Sequence, residues 1–156
     1  MTFPNNIFIL KDSFFFDSVI QLLHSASREI ILVNFLFSDS KKIFSPFINL
    51  FQKLSSNNVK IYIILNGTFR QIKACLPNRR IKDILHPSFA KVLITSGNRI
   101  EHRKIIIVDR KIVVLGSHNF TKNSLKINHE LSICVKSNYL SQEIFDLLSS
   151  DYPGFF

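Results

Sequence analysis

The stretch His102-Arg103-Lys104, with Asp109 five residues further on and Gly116-Ser117-His118-Asn119 soon after, brings an imidazole, an ammonium, a hydroxyl and a carboxamide into a short span of chain. Side chains alternate faces along a strand, so His102 and Lys104 are expected to point the same way, and Ser117 and Asn119 share that two-residue spacing. A short turn at Asp109-Arg110-Lys111 would pair the two segments and bring all four side chains together. Three of these groups donate hydrogen bonds to oxyanions, and the imidazole can act as nucleophile or base. Such a set handles phosphate. Glu130, at the start of a later strand, is placed to orient the imidazole and select its tautomer.

The surrounding pattern supplies elements to carry these residues. Asn5 to Leu10 reads as a strand, and Asp12 or Ser13 can cap a helix with Phe15, Val19, Leu22 and Ala26 at helical spacing. Ile30 to Phe37 is a nearly unbroken apolar run, as in a central strand covered on both faces. Ile43, Phe44, Phe47, Leu50, Phe51 and Leu54 repeat the helical period and predict a helix over about 42–56. Val59 to Leu65 follows as a strand, closed by Asn66-Gly67, and a short helix is expected at 78–85 between Pro77 and Pro87. Strands are then expected at Lys91–Thr95, Arg103–Val108, Ile112–Leu115 and Glu130–Lys136, with a last helix over about Asn138–Ser149. Helices and strands alternate first and strands dominate later, which predicts an α/β chain with a mixed sheet covered by helices. The sixteen phenylalanines fall mostly at core-facing positions, with Phe120, inside the motif, set apart from them.

A chain of 156 residues with 46% hydrophobic and 20% charged residues is the size and composition of one globular domain. Cys75 and Cys134, the two cysteines, are too far apart in sequence for a disulfide scaffold or a zinc site of paired thiolates. They read as reduced thiols. No apolar run reaches the length of a bilayer span, and the first residues lack the pattern of a signal peptide, so the expected location is the cytoplasm. The net charge of +9 is uneven: residues 66–104 hold nine Lys and Arg against two acidic residues. Positive charge concentrated this way attracts polyanions by releasing their counterions.

The pattern His102-x-Lys104-x4-Asp109-x6-Gly116-Ser117-x-Asn119 resembles the signature of the phospholipase D superfamily at every specified position, and Asn128-His129-Glu130 resembles the Asn-x-Glu found downstream in that family. The order of strands and helices from about residue 5 to 150 fits as well. The resemblance implies an α-β-α sandwich with helices on both faces of the sheet, formed by residues 1–156 as a single catalytic domain. Two motifs meet in one active site in this family, and this chain carries one, which implies a homodimer with half a site per chain. It also implies a two-step reaction. His102 of one copy attacks phosphorus and forms a phosphohistidine, while His102 of the other protonates the leaving oxygen and then activates water. Lys104, Ser117 and Asn119 would hold the non-bridging oxygens, and Asp109 would support the site by pairing within it. Two facing imidazoles would titrate as a coupled pair, which separates nucleophile from acid.

Short, basic, single-motif members of the family resemble small bacterial endonucleases, so a nuclease of low sequence specificity acting on DNA or RNA is the leading expectation. Arg70, Arg79, Arg80 and Arg103 are the expected contacts to the nucleic-acid backbone. No cofactor is expected, and no carboxylate cluster is evident to hold a pair of catalytic metals, so the expected hydrolysis is metal-independent. A phospholipase or phosphatidyl transferase acting on anionic lipid is the competing expectation. Against it stand the short chain and the lack of an evident amphipathic anchor helix. A third reading, a binding protein with inactive machinery, sits poorly with the intact motif. His118 and His129 are expected to be structural, and His24 and His86 ordinary.

Overall fold

In the computed structural model, which describes residues 6–68 and 75–156, seven strands form one sheet. The elements in chain order are β1 (Ile7–Lys11), α1 (Phe14–His24), β2 (Glu29–Asn34), α2 (Lys41–Ser56), β3 (Lys60–Leu65), α3 (Leu76–Leu85), β4 (Lys91–Ile94), β5 (Ile105–Val108), β6 (Ile112–Gly116), α4 (Lys122–Lys126), β7 (Leu131–Lys136) and α5 (Asn138–Asp151). The spatial order is β1-β7-β6-β5-β2-β3-β4. The strands β2, β3 and β4 run parallel, joined through helical crossovers, and the remaining pairs are antiparallel. This is the mixed α/β sheet that the pattern predicts, with helices on both faces.

The period-2 alternation of the strands divides the core. One face turns Ile30, Leu32, Ile61, Ile63 and Ile106 toward α1, α2 and α3, where Phe15, Leu23, Phe47, Phe51 and Ile81 are buried. The other turns Ile31, Val33, Ile64, Ile105 and Ile107 toward α5, where Leu148 is buried and Ile144 and Phe145 pack. Central strands covered on both sides explain why β5 and the Ile30–Val33 stretch of β2 are apolar without interruption.

Several boundaries differ from the pattern for local reasons. The apolar run from Ile30 ends as a strand at Asn34, because the Asn34 side chain accepts the Leu36 N–H (3.2 Å) and turns the chain. Ser13 is the N-cap residue of α1 but its side chain makes no capping bond, and the Asp12 carboxylate accepts the Glu130 N–H at 2.9 Å. The strand expected from Arg103 begins only at Ile105. The pattern does not predict α4, since five residues are too few to show a period; Thr121 caps it through the Ser124 N–H. Phe120 is no exception among the phenylalanines: it is fully buried between Phe37 and Phe47, 4.8 Å from each ring centre.

Candidate active site

The motif residues lie along one end of the sheet. In register, Val33 faces Ile105 and Ile105 faces Leu115, so the end of β2, the approach to β5 and the end of β6 lie side by side. Lys104 Nζ is 3.1 Å from His102 Nδ1 and donates to the His102 carbonyl at 2.6 Å. Phe35, just past β2, packs against both, its ring 4.7 Å from the imidazole and 5.3 Å from the ammonium. Burial, followed by the Lys104 charge, holds the His102 pKa below that of an ordinary histidine, against the opposing pull of Glu101. Lys104 is likewise lowered by burial, with Glu130 and Glu101 opposing. An exposed imidazole beside an ammonium is a pair that can offer a nucleophile or base next to an anion-binding group.

The second segment is built around Glu130. Its carboxylate accepts from the hydroxyl of Ser117, from Ser124 Oγ at 2.9 Å and from Asn128 Nδ2 at 3.1 Å. Burial raises its pKa, but these three bonds outweigh that and leave the group below the ordinary range. Glu130 therefore orients Ser117, not the His102 ring as the spacing suggests. Asn119 is fixed by its backbone N–H to Ser124 Oγ (2.8 Å) and by its side-chain oxygen, which accepts the Leu36 N–H at 3.2 Å. Its amide nitrogen remains the end suited to an oxyanion. Gly116 makes the close approach to β7 that this segment requires, since a Cβ there would collide with Ser132 and the Leu131 carbonyl.

Asp109 is not part of this cluster. It sits at the opposite end of β5, seven extended residues or roughly 20 Å from His102. Its carboxylate accepts the N–H groups of Ser27 (3.0 Å), Arg28 (2.8 Å) and Glu29 (3.0 Å), together with the Ser27 hydroxyl (2.8 Å). Burial would raise its pKa, but the bonds from Glu29, Ser27 and Arg28 dominate and lower it. Asp109 and Arg110 both adopt left-handed backbone (φ 53° and 54°) in the β5–β6 turn, whose position the pattern predicts. A carboxylate spaced by the motif thus ties the turn to the α1–β2 connection and does not pair within the site.

Arg103, expected on nucleic acid, is committed internally: it ion-pairs with the buried Glu101 and with Asp151. Arg80 lies exposed on α3 and pairs with Asp39 at 2.9 Å, while Arg79, also exposed, lines a shallow cleft with Lys82 and Ser96. Arg70 falls outside the described residues. His118 is fully buried, stacked on Phe15 at 4.1 Å and bonded to Ser132 Oγ at 2.8 Å, the structural role its alternation predicts. Phe35 and the buried Asn66 and Asn78 also belong to the site, though no motif marks them in the sequence. The Asn78 side chain donates to the carbonyls of Asn66 (2.8 Å) and Phe35 (2.9 Å). A cleft of about 520 Å³ opens beside His102, bounded by Thr95, Arg99, Glu101 and Tyr152.

The family model described as "Cardiolipin synthase, PLD-like domain" matches residues 19–152. The chain belongs to the phospholipase D superfamily. Within that superfamily it is 20% identical over 140 residues to a cardiolipin synthase A from Pseudomonas entomophila, covering 85% of this chain but 27% of the relative. The chain thus spans about a quarter of the length of that curated relative. Its fold is similar to that of Nuc from Salmonella typhimurium, a phospholipase D family member, with a TM-score of 0.76, 18% identity and coverage of 92% of this chain and 91% of that one. It is also similar to NucT from Helicobacter pylori (TM-score 0.71, 18% identity, coverage 92% and 93%).

Proposed function

We propose that this chain is a phosphodiesterase that hydrolyses DNA or RNA with low sequence specificity, at an active site completed by a second copy of itself. The observation that carries the reading is the exposed His102 imidazole, held against Lys104 at the open end of the sheet and depressed in pKa by burial and that charge. In the first step, His102 attacks phosphorus and the bond to the leaving oxygen breaks. The leaving oxygen takes its proton from His102 of the second copy. In the second step, that now neutral imidazole removes a proton from water, the hydroxide attacks phosphorus, and the phosphohistidine bond breaks. Lys104 and the Asn119 amide stabilise the equatorial oxygens. This balance uses only two histidines and water, so the reaction is proposed to need no metal.

The nucleic-acid assignment is supported by the basic 66–104 segment and by the near-complete two-way coverage of Nuc and NucT, in contrast to the partial coverage of the synthase. The second copy is supported by a bare apolar face. α5 is the helix that packs on its side of the sheet, over the central strands, and leaves Ile7, Ile9, Leu131, Ile133 and Leu147 between 41% and 68% exposed. Ile9 faces Ile133 across β1 and β7, and Leu131 borders Ser117, so this patch runs into the site. An apolar patch of this kind marks an interaction surface.

The test is cleavage of single- and double-stranded DNA and RNA in excess EDTA by wild type and His102→Asn. Cleavage that survives chelation and is lost in the variant supports the reading. No cleavage by wild type, alongside headgroup transfer on anionic phospholipid vesicles, would replace it with the lipid activity suggested by the synthase relative.

A further inference from the structure

His102 and Lys104 belong to a segment, residues 101–104, that precedes the ladder of β5. Extended chain outside a sheet has no register to fix its side chains, yet these two must hold an attitude to within a fraction of an ångström. The bonds that replace the ladder come from side chains. The Glu101 N–H donates to Asn66 Oδ1 at 3.1 Å, and the Arg103 N–H donates to Glu101 Oε1 at 3.0 Å.

The even residues of the segment face the site, and the odd ones turn the other way, toward the end of α5. Glu101 is 5% exposed. Its carboxylate takes the Arg103 guanidinium in a two-pronged fork, with Nε at 2.8 Å, and also accepts the Tyr152 hydroxyl. Arg103 Nη1 reaches Asp151 at 2.6 Å. All three guanidinium nitrogens are thereby engaged, and the planar fork fixes direction as well as distance. Asp151 and Tyr152 end α5, which is seated on the sheet through Leu148. The attitude of the segment is therefore referred to α5, across the sheet face. Asn66 ties it to the opposite wall, because the Asn66 carbonyl accepts from the Asn78 amide that also holds the Phe35 carbonyl.

We propose that Arg103 and Glu101, clamped by Asp151 and Tyr152, are positioning residues that hold His102 and Lys104 in their reactive attitude. This rests on the phosphoryl-transfer reading above. On this proposal the residue between the histidine and the lysine of the motif, although it lines the cleft beside His102, acts through its neighbours.

The test uses Arg103→Lys, which keeps the charge and loses the fork, and Asp151→Asn, a half-exposed change at the helix end that leaves the fold intact. Steady-state kinetics on the cleaved nucleic acid are combined with NMR contacts between the His102 and Phe35 rings. Arg103→Lys is expected to lower kcat by about 10- to 100-fold with KM within about twofold, the scale of a misplacement near 1 Å. Asp151→Asn is expected to fall in the same direction by roughly 3- to 10-fold. In Arg103→Lys the ring contact should weaken. Unchanged kcat in folded variants overturns the proposal, and so does a raised KM at constant kcat, which would make Arg103 a substrate contact. If the wild type cleaves no phosphodiester, the functional reading fails by itself. The ring contact then decides the positioning: its loss in Arg103→Lys supports the clamp, and its retention overturns it.

Discussion

Replacing Asp109 by alanine separates a structural carboxylate from a catalytic one. In the folded chain this side chain accepts three peptide N–H groups at the start of β2 and the Ser27 hydroxyl. Alanine leaves the three N–H groups without their acceptor. At about 1–2 kcal/mol each after partial rescue by water, the loss is about 3–6 kcal/mol. Left-handed backbone at φ 53° adds to the strain on alanine. For a chain of this size, that corresponds to a melting temperature lower by roughly 10–15 °C. Asparagine tolerates the backbone and keeps one acceptor, so Asp109→Asn should lose only about 1–2 kcal/mol. The folded-state pKa of Asp109 is lowered, so its stabilisation is fully present above the ordinary carboxylate value and is lost as pH falls through the folded value. The gap between wild type and Asp109→Asn, measured by urea unfolding, should therefore close below about pH 4. At a temperature where both are folded, kcat of Asp109→Asn should stay within about threefold of wild type, because roughly 20 Å separates the group from His102. A variant of native stability whose kcat falls a hundredfold would refute this account.

Other expectations follow from the same geometry. Gly116→Ala would force a Cβ into Ser132 and the Leu131 carbonyl, so it should cost about 2–4 kcal/mol in denaturant unfolding and displace Ser117, lowering kcat as well. His118 is buried and its pKa is lowered chiefly by desolvation, so the unfolded chain takes up its proton first and stability falls as pH drops below about 6.5. His118→Phe should keep the stack on Phe15, lose about 1–3 kcal/mol through the unpaired Ser132 hydroxyl, and flatten stability between pH 7 and 5, leaving the slope due to His102. Ile9→Glu or Ile133→Glu should convert a dimer to a monomer in light scattering and abolish cleavage while the circular dichroism stays native. A fully active monomer would contradict the shared site.

The superfamily was legible in the chain because residue types at fixed spacing are a local property. His102 and Lys104 lead into β5, Ser117 and Asn119 lead out of β6, and the Asp109-Arg110-Lys111 turn that joins the two strands sets the pairs side by side at one end of the sheet. The apolar runs of β2, β3 and β5 likewise announced a sheet covered on both faces, since a strand buried on two sides has no polar face to show. Which acceptor each donor finds is a different matter. Glu130 was open to His102 by spacing but is held by Ser117, Ser124 and Asn128. Arg103 looked like a free cation until Asp151, 48 positions away in sequence, was folded against it. Asp109 matched the motif, yet its partners Arg28 and Glu29 lie 81 and 80 residues earlier, where the α1–β2 connection enters β2. Phe35 and Asn78 carry no motif because their roles arise only where the end of β2 meets the segment before β5. Residue type and spacing determine what a group can do. Pairing between distant segments, driven by burial and the need to satisfy every polar atom left inside, decides what it does.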